Sequence, residues 1–172
     1  MMHPVEIQNA IDGAVFLIDT REQDTARLRD RIKQIGLPVE RKTLHYGDYS
    51  IKCPLPNGEW LDLSETVTVE RKMGADEICQ CFTHDRGRFE REFERAKAAG
   101  ARVYLLLENT TLEMLYAGRY RSQMKPTALI ASLFAWMARY DCRVVMCREQ
   151  TGGMAIRDIL IREAKERLTA LD

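Results

Sequence analysis

The sequence predicts an α/β domain whose sheet is covered by helices on both faces. Three observations point there. Short, continuous apolar runs recur along the chain, as in AVFLIDT (14–20), ARVYLLLEN (101–109) and CRVVMC (142–147). Strands that read apolar throughout are buried on both sides. Helical patterns separate these runs, the alternation expected of α/β folds. The chain has 172 residues, 45% hydrophobic and 30% charged, which suits one domain with a sizeable core. The expected sheet is mostly parallel with one antiparallel excursion.

In chain order, residues 1–12 read as an N-terminal extension, a loose lead-in or a short helix, and 13–172 as a single domain. Helix is expected over Glu22–Ile35, with Leu28, Ile32 and Ile35 on one side and Gly36 and Pro38 as the stop. Residues 39–53 read as two strands flexing at Gly47. Pro56-Asn57-Gly58 marks a hairpin turn before a strand at 66–72. Gly74–Gln80 is a short helix, and Arg86–Ala99 a longer one closed by Gly100. A short helix at Thr110–Tyr116 precedes one over Pro126–Tyr140, with Pro126 in its first turn. A last amphipathic helix covers Gly153–Leu168. TALIASLFAWMA is apolar nearly all round, so it buries two faces, the second against this domain or against a second subunit.

Lys plus Arg number 26, and so do Asp plus Glu. Zero net charge argues against an indiscriminate basic coat for nucleic acid and leaves room for a local basic groove. The five cysteines contain no CxxC pair, so a zinc site is not expected and reduced thiols are. The longest uncharged run, Pro126–Ala138, is too short for a bilayer. No signal peptide opens the chain, so a soluble, cytoplasmic protein is expected.

Three strands end in carboxylates: Asp19, Glu70 and Glu108. Asp48 follows Gly47 at a bend. A strand end is where side chains leave the core for a cleft, and acids there are costly unless a cation answers them. In VTVERK, alternation puts Glu70 and Lys72 on one face, roughly 7 Å apart, and Arg71 on the other. Asp48 and Glu70 are hard oxygen donors that suit Mg²⁺. Two acids and a lysine around such an ion suit phosphodiester hydrolysis. A solvated Glu-x-Lys pair is the plainer alternative.

The wider pattern is more specific. GDY (47–49) followed by VERKMGAD (69–76) resembles the G-D-x(n)-E-R-K-x-x-x-D signature of the XPF-type nucleases, a branch of the PD-(D/E)XK superfamily. FLIDTRE (16–22) looks like that family's first strand, GRFEREF (87–93) like its arginine-bearing helix start, and VYLLLEN (103–109) like its next strand. The likeness runs over about residues 14–165 and implies a restriction-endonuclease-like mixed sheet. It also implies a metal-dependent DNA endonuclease acting at branches, forks or flaps. By position, Asp48, Glu70, Lys72 and Asp76 would be catalytic. Asp48, Glu70 and the Arg71 carbonyl would hold Mg²⁺, with Mn²⁺ able to substitute. Asp19 and Glu22 would flank the ion, directly or through water, and Lys72 would orient water or offset charge. Asp76 reads equally well as a helix N-cap.

DNA contacts are expected from Arg88, Arg86, Arg119, Arg121 and Lys125. Arg71 is a candidate too, unless it braces the carboxylates. Arg88, Arg91 and Arg95 share a helix face, and a solvated ion-paired face is the alternative for the latter two. Tyr120, among Arg119, Arg121 and Lys125, is placed to stack on an unpaired base; an ordinary loop is the alternative. XPF-type domains pair, which makes a homodimer through Leu129, Leu133, Trp136 and Met137 the expectation. Many relatives carry a tandem helix-hairpin-helix module for which this chain has no room. A separate DNA-binding or helicase partner is therefore implied, unless the domain grips DNA alone. Two other readings stay open: a catalytically silent DNA-binding or scaffold subunit, and a less selective DNA nuclease.

Overall fold

The computed structural model describes residues 2–171. The elements run α1 (Pro4–Asp12), β1 (Val15–Asp19), α2 (Ala26–Ile35), β2 (Val39–Lys42), β3 (Tyr49–Pro54), β4 (Trp60–Asp62) and β5 (Val67–Lys72). There follow α3 (Ala75–Phe82), α4 (Arg86–Ala98), β6 (Arg102–Glu108), α5 (Leu112–Tyr116), α6 (Pro126–Tyr140), β7 (Arg143–Cys147) and α7 (Glu149–Thr169).

The strands form one sheet in the order β2-β1-β3-β5-β6-β7, with β4 attached to β3. The β1–β2, β5–β6 and β6–β7 pairs are parallel. β3 runs antiparallel to β1, β4 and β5, so the excursion is larger than the sequence suggests and sits mid-sheet. Antiparallel pairing puts the loop before β3 beside the carboxyl end of β5. That geometry delivers Asp48 to Glu70 although 22 positions separate them.

Each face of the sheet carries its own core. Leu106, Val67, Val69, Phe16 and Ile18 meet α1, α2 and α7 through Ile11, Leu28, Ile35, Ile156 and Leu160. Leu105, Leu107 and Val103 meet α3, α4, α5 and α6 through Ile78, Phe89, Phe93, Leu115, Leu129 and Trp136. Alternation along β6 therefore feeds both layers. The second core is aromatic: Trp136 stacks on Phe89 at 5.6 Å and meets Phe82 at 4.9 Å between ring centroids.

Three boundaries differ from expectation. Residues expected as an extension form α1, capped reciprocally by His3 and Glu6, and its Ile7, Ala10 and Ile11 enter the first core. α2 begins at Ala26, where the Thr25 hydroxyl accepts from the Leu28 N–H, and Glu22 lies on the preceding turn. α7 begins at Glu149, ahead of the expected start at Gly153, so both Gly152 and Gly153 lie inside the helix. All five cysteines are free. Among the described residues, no helix is long and apolar enough to cross a membrane.

Candidate active site

The site is built at the carboxyl end of β5. Gly47 turns the chain there with φ +72°, a conformation L side chains rarely adopt. Even in a permitted conformation a Cβ would sit 2.5 Å from Thr68 Oγ1. The turn aims Asp48 across the sheet: its N–H donates to the Val69 carbonyl at 2.8 Å, and its carbonyl accepts from the Asp19 N–H at 2.9 Å. The Asp48 carboxylate then accepts the Arg71 N–H at 2.8 Å through Oδ2. Glu70 and Lys72 are buried on the same face, and the Lys72 ammonium donates to Glu70 Oε1. The Lys72 ammonium also lies 5.2 Å from the Phe89 ring centroid, so an aromatic face shares in holding the cation.

The electrostatics are those of a site with more acid than it can neutralise. Burial pushes the Asp48 carboxyl up to about 7; Lys72 pulls it back and Glu22 pushes it further. Burial, and then the Asp48 charge, hold the Glu70 carboxyl well above the ordinary carboxylate range against the pull of Lys72. Burial lowers the Lys72 ammonium, but Glu70, Cys81 and Asp48 outweigh it and keep the amine charged. Two buried, mutually repelling carboxyls that share one ammonium favour a further cation. Asp48 and Glu70, with the Arg71 carbonyl, are donors that Mg²⁺ accepts, since it takes one or two carboxylates and keeps several waters. Among the described residues, no three His, Cys, Asp or Glu side chains converge into a ready-made all-protein cage.

The other acids are placed differently. Asp19 is buried and fully engaged, accepting from Arg21 Nε at 2.6 Å, from the Arg21 N–H and from the Leu44 N–H, both at 2.8 Å. It pins the loop that leads to Gly47, with both carboxylate oxygens accepting hydrogen bonds. Glu22 accepts from the Tyr49 hydroxyl at 3.0 Å and faces Arg71 at 3.9 Å, near enough to Asp48 to raise its pKa. Asp76 is not the N-cap of α3, which is Gly74. Its Oδ1 accepts the Arg121 and Ser122 N–H groups at 2.8 Å each, so it anchors the 119–125 loop. Glu92 escaped the sequence reading, which offered a solvated ion-paired face for its helix neighbours Arg91 and Arg95. It is half-buried, accepts the Gly47 N–H at 2.9 Å and pushes the Glu70 carboxyl up. Its signal was position: it is i+3 from Phe89 and i−1 from Phe93, both in the core.

A family model described as the ERCC4 domain matches residues 18–152, most of the chain. This chain belongs to the ERCC4 domain family. The matched span includes Asp19, Asp48, the Glu70–Lys72 triplet, Asp76 and Glu108. Two solved structures share the fold: XPF from Aeropyrum pernix, with TM-score 0.60, and the same protein in complex with DNA, with TM-score 0.61. Both are 20% identical to this chain and cover 89% of it, whereas the matches cover 68% and 66% of those chains, about two thirds of their length. No curated protein matches. Family and fold together support a nuclease of the XPF type.

In this ERCC4 domain the expected DNA-contacting residues divide. Arg88 is well exposed on α4, with Asp85 at 3.7 Å. Arg119, Arg121 and Lys125 are exposed on the loop before α6. That loop, with Met73, Gly74, Asp76, Glu77 and Arg27, lines a cleft of about 330 Å³ immediately past Lys72. Arg86 is not free for DNA: it lies over the Trp136 ring at 5.2 Å and donates to the Phe82 carbonyl at 3.4 Å. Arg71 is turned away to Glu108 at 3.2 Å, which favours bracing over a DNA contact.

The proposed interface residues need correction. Leu129, Leu133 and Trp136 are 0%, 1% and 0% exposed within this chain, because the aromatic core absorbs that face of α6. Only Met137 of the four reaches the surface, beside Phe134 and Leu112.

Proposed function

We propose that this chain is a Mg²⁺-dependent DNA endonuclease that cuts at branches, forks or flaps. The observation that carries the reading is the convergence of Asp48, Glu70 and Lys72 at the end of β5, with the Arg71 peptide between the two acids. Asp48, Glu70 and the Arg71 carbonyl would hold the ion. When bound, such an ion polarises a phosphoryl oxygen and lowers the pKa of its water. Asp48 is fixed by the Arg71 N–H, so its free oxygen is aimed. The Lys72 ammonium, held against Glu70 and Phe89, stabilises the negative charge that gathers on the phosphoryl oxygens as water attacks. One P–O bond forms to water and one breaks to the leaving strand. Exposed Arg88 near the start of α4, and Arg119, Arg121 and Lys125 of the 119–125 loop, take the backbone on either side.

Cleavage of end-labelled flap, fork, four-way, linear duplex and single-stranded DNA tests this, in Mg²⁺ and in EDTA. Metal-dependent cutting beside branches is the expected result. Equal cutting of every substrate would leave a less selective nuclease. Binding without any cutting would favour a silent scaffold, a reading against which the complete G-D…E-R-K-x-x-x-D signature speaks.

Asp76 acts here as the anchor of the DNA-facing loop. Asp76→Ala is expected to raise KM for DNA by about 5–10-fold and leave kcat within about 2-fold, the pattern of lost uniform binding. A collapse of kcat at saturating DNA would return Asp76 to the chemistry.

A homodimer is part of the proposal, relocated on the surface. Leu112, Leu133, Phe134, Met137, Val144 and Met146 line a groove of about 290 Å³ beside the sheet edge at β7. All six are apolar, so the patch can pair with its own copy across a two-fold axis. Phe134→Glu is expected to shift the mass measured by light scattering from two chains to one; an unchanged dimer would place the interface elsewhere.

A further inference from the structure

Behind the candidate site, five side chains from five segments close a polar ring. Arg31 of α2 donates through NH1 to the Tyr49 hydroxyl at 3.2 Å. Tyr49 donates to Glu22 at 3.0 Å. Glu22 faces Arg71 at 3.9 Å. Arg71 donates to Glu108 Oε2 at 3.2 Å, and Arg31 NH2 donates to both Glu108 oxygens at 3.3 Å. The ring balances two guanidinium groups with two carboxylates. Its inner members are deeply buried, Arg31 at 3% and Glu108 at 1% exposure.

Stability alone is a poor account of such a ring. Desolvating buried charges costs about as much as their pairing returns, and apolar replacements are often neutral or better. The chain also gives up helix stability to hold it. Gly152 and Gly153 lie within α7, where each glycine costs about 1 kcal/mol against alanine. A Cβ at Gly152 would fall 2.2 Å from Glu108 Oε1, and one at Gly153 would fall 2.5 Å from the Arg31 carbonyl. Gly152 makes room for the Glu108 carboxylate, and Gly153 lets α7 close on the α2 backbone that carries Arg31. What the ring grips is Arg71, the residue whose N–H fixes Asp48 at 2.8 Å.

We propose that Arg31 and Glu108, with the glycine pair beneath them, are positioning residues that set the Arg71 peptide and so the geometry of the metal site. The proposal rests on the nuclease reading above. Glu108→Gln removes the charge and keeps the shape. Gly152→Ala keeps every charge, favours helix, and displaces the carboxylate from behind. Mn²⁺ affinity, measured by calorimetry on the DNA-free protein, is expected to weaken by about 10–100-fold in both variants, as for residues that orient metal ligands. On a labelled flap, kcat should fall by a similar factor with KM unchanged. If Glu108→Gln fails to fold, Gly152→Ala decides alone. Folded variants that bind Mn²⁺ as the wild type does, with only a lowered Tm, would overturn the positioning role and leave the nuclease reading standing. A wild type that binds no Mn²⁺ would overturn that reading, and this proposal with it.

Discussion

Lys72→Ala is expected to lower kcat for DNA cleavage by about 10²–10³-fold, the usual cost of removing one preorganised group that stabilises transition-state charge. The same substitution should leave Mn²⁺ binding intact or tighter. Lys72 is the one ammonium that competes with a metal for Glu70, and it also lowers the demand of Asp48 for a cation. Loss of turnover with metal affinity retained separates a chemical role from a structural one. Lys72→Arg should not restore activity. A planar fork does not reproduce a point charge seated between Glu70 and the Phe89 ring. Single-turnover cleavage alongside calorimetry checks both halves. A Lys72→Ala protein that cuts at the wild-type rate would remove the lysine from the mechanism.

Asp48→Asn carries the second large effect, and it has two signs. Cleavage should fall at least about 10²-fold, because an ion between Asp48 and Glu70 loses one of its two charged donors. Without metal the variant should be more stable than the wild type. The amide oxygen still accepts the Arg71 N–H, while one of two buried, mutually repelling carboxylates is gone. A gain of about 1–2 kcal/mol, within the range of single stabilising substitutions, corresponds to about 2–8 °C in Tm for a chain of this size. Added Mg²⁺ should reverse the order. It stabilises only the protein that binds it, by about 2.7 kcal/mol at a hundredfold excess over Kd. Melting curves in EDTA and in Mg²⁺ give both values. An Asp48→Asn protein less stable than the wild type in EDTA would contradict the repulsion.

Much of this was legible in the sequence, and the misses have physical causes. Strand alternation put Glu70 and Lys72 together and Arg71 opposite, which is how β5 lies. Gly47 marked the turn. What local pattern does not carry is the antiparallel placement of β3, a long-range pairing with a single register pair, Tyr49 to Val69, on the β5 side. Nor does it carry the direction of a side chain on a first helical turn. Asp76 has the spacing of a catalytic acid, and its carboxylate turns to a loop 45 residues onward. α6 reads apolar all round because one face meets an aromatic core and a narrower strip at Phe134 and Met137 stays exposed. The glycine pair read as a helix boundary, since its causes lie in other elements: Glu108 of β6 for Gly152, and Arg31 and Gln34 of α2 for Gly153.

The proposed chemistry requires a metal at the end of β5, held by Asp48, Glu70 and the Arg71 carbonyl. Anomalous diffraction from crystals soaked in Mn²⁺ tests it most directly. One strong peak is expected about 2.0–2.3 Å from an oxygen of each of these three residues. No peak at saturating Mn²⁺, or a peak held instead by Asp76 or Asp19, would contradict it.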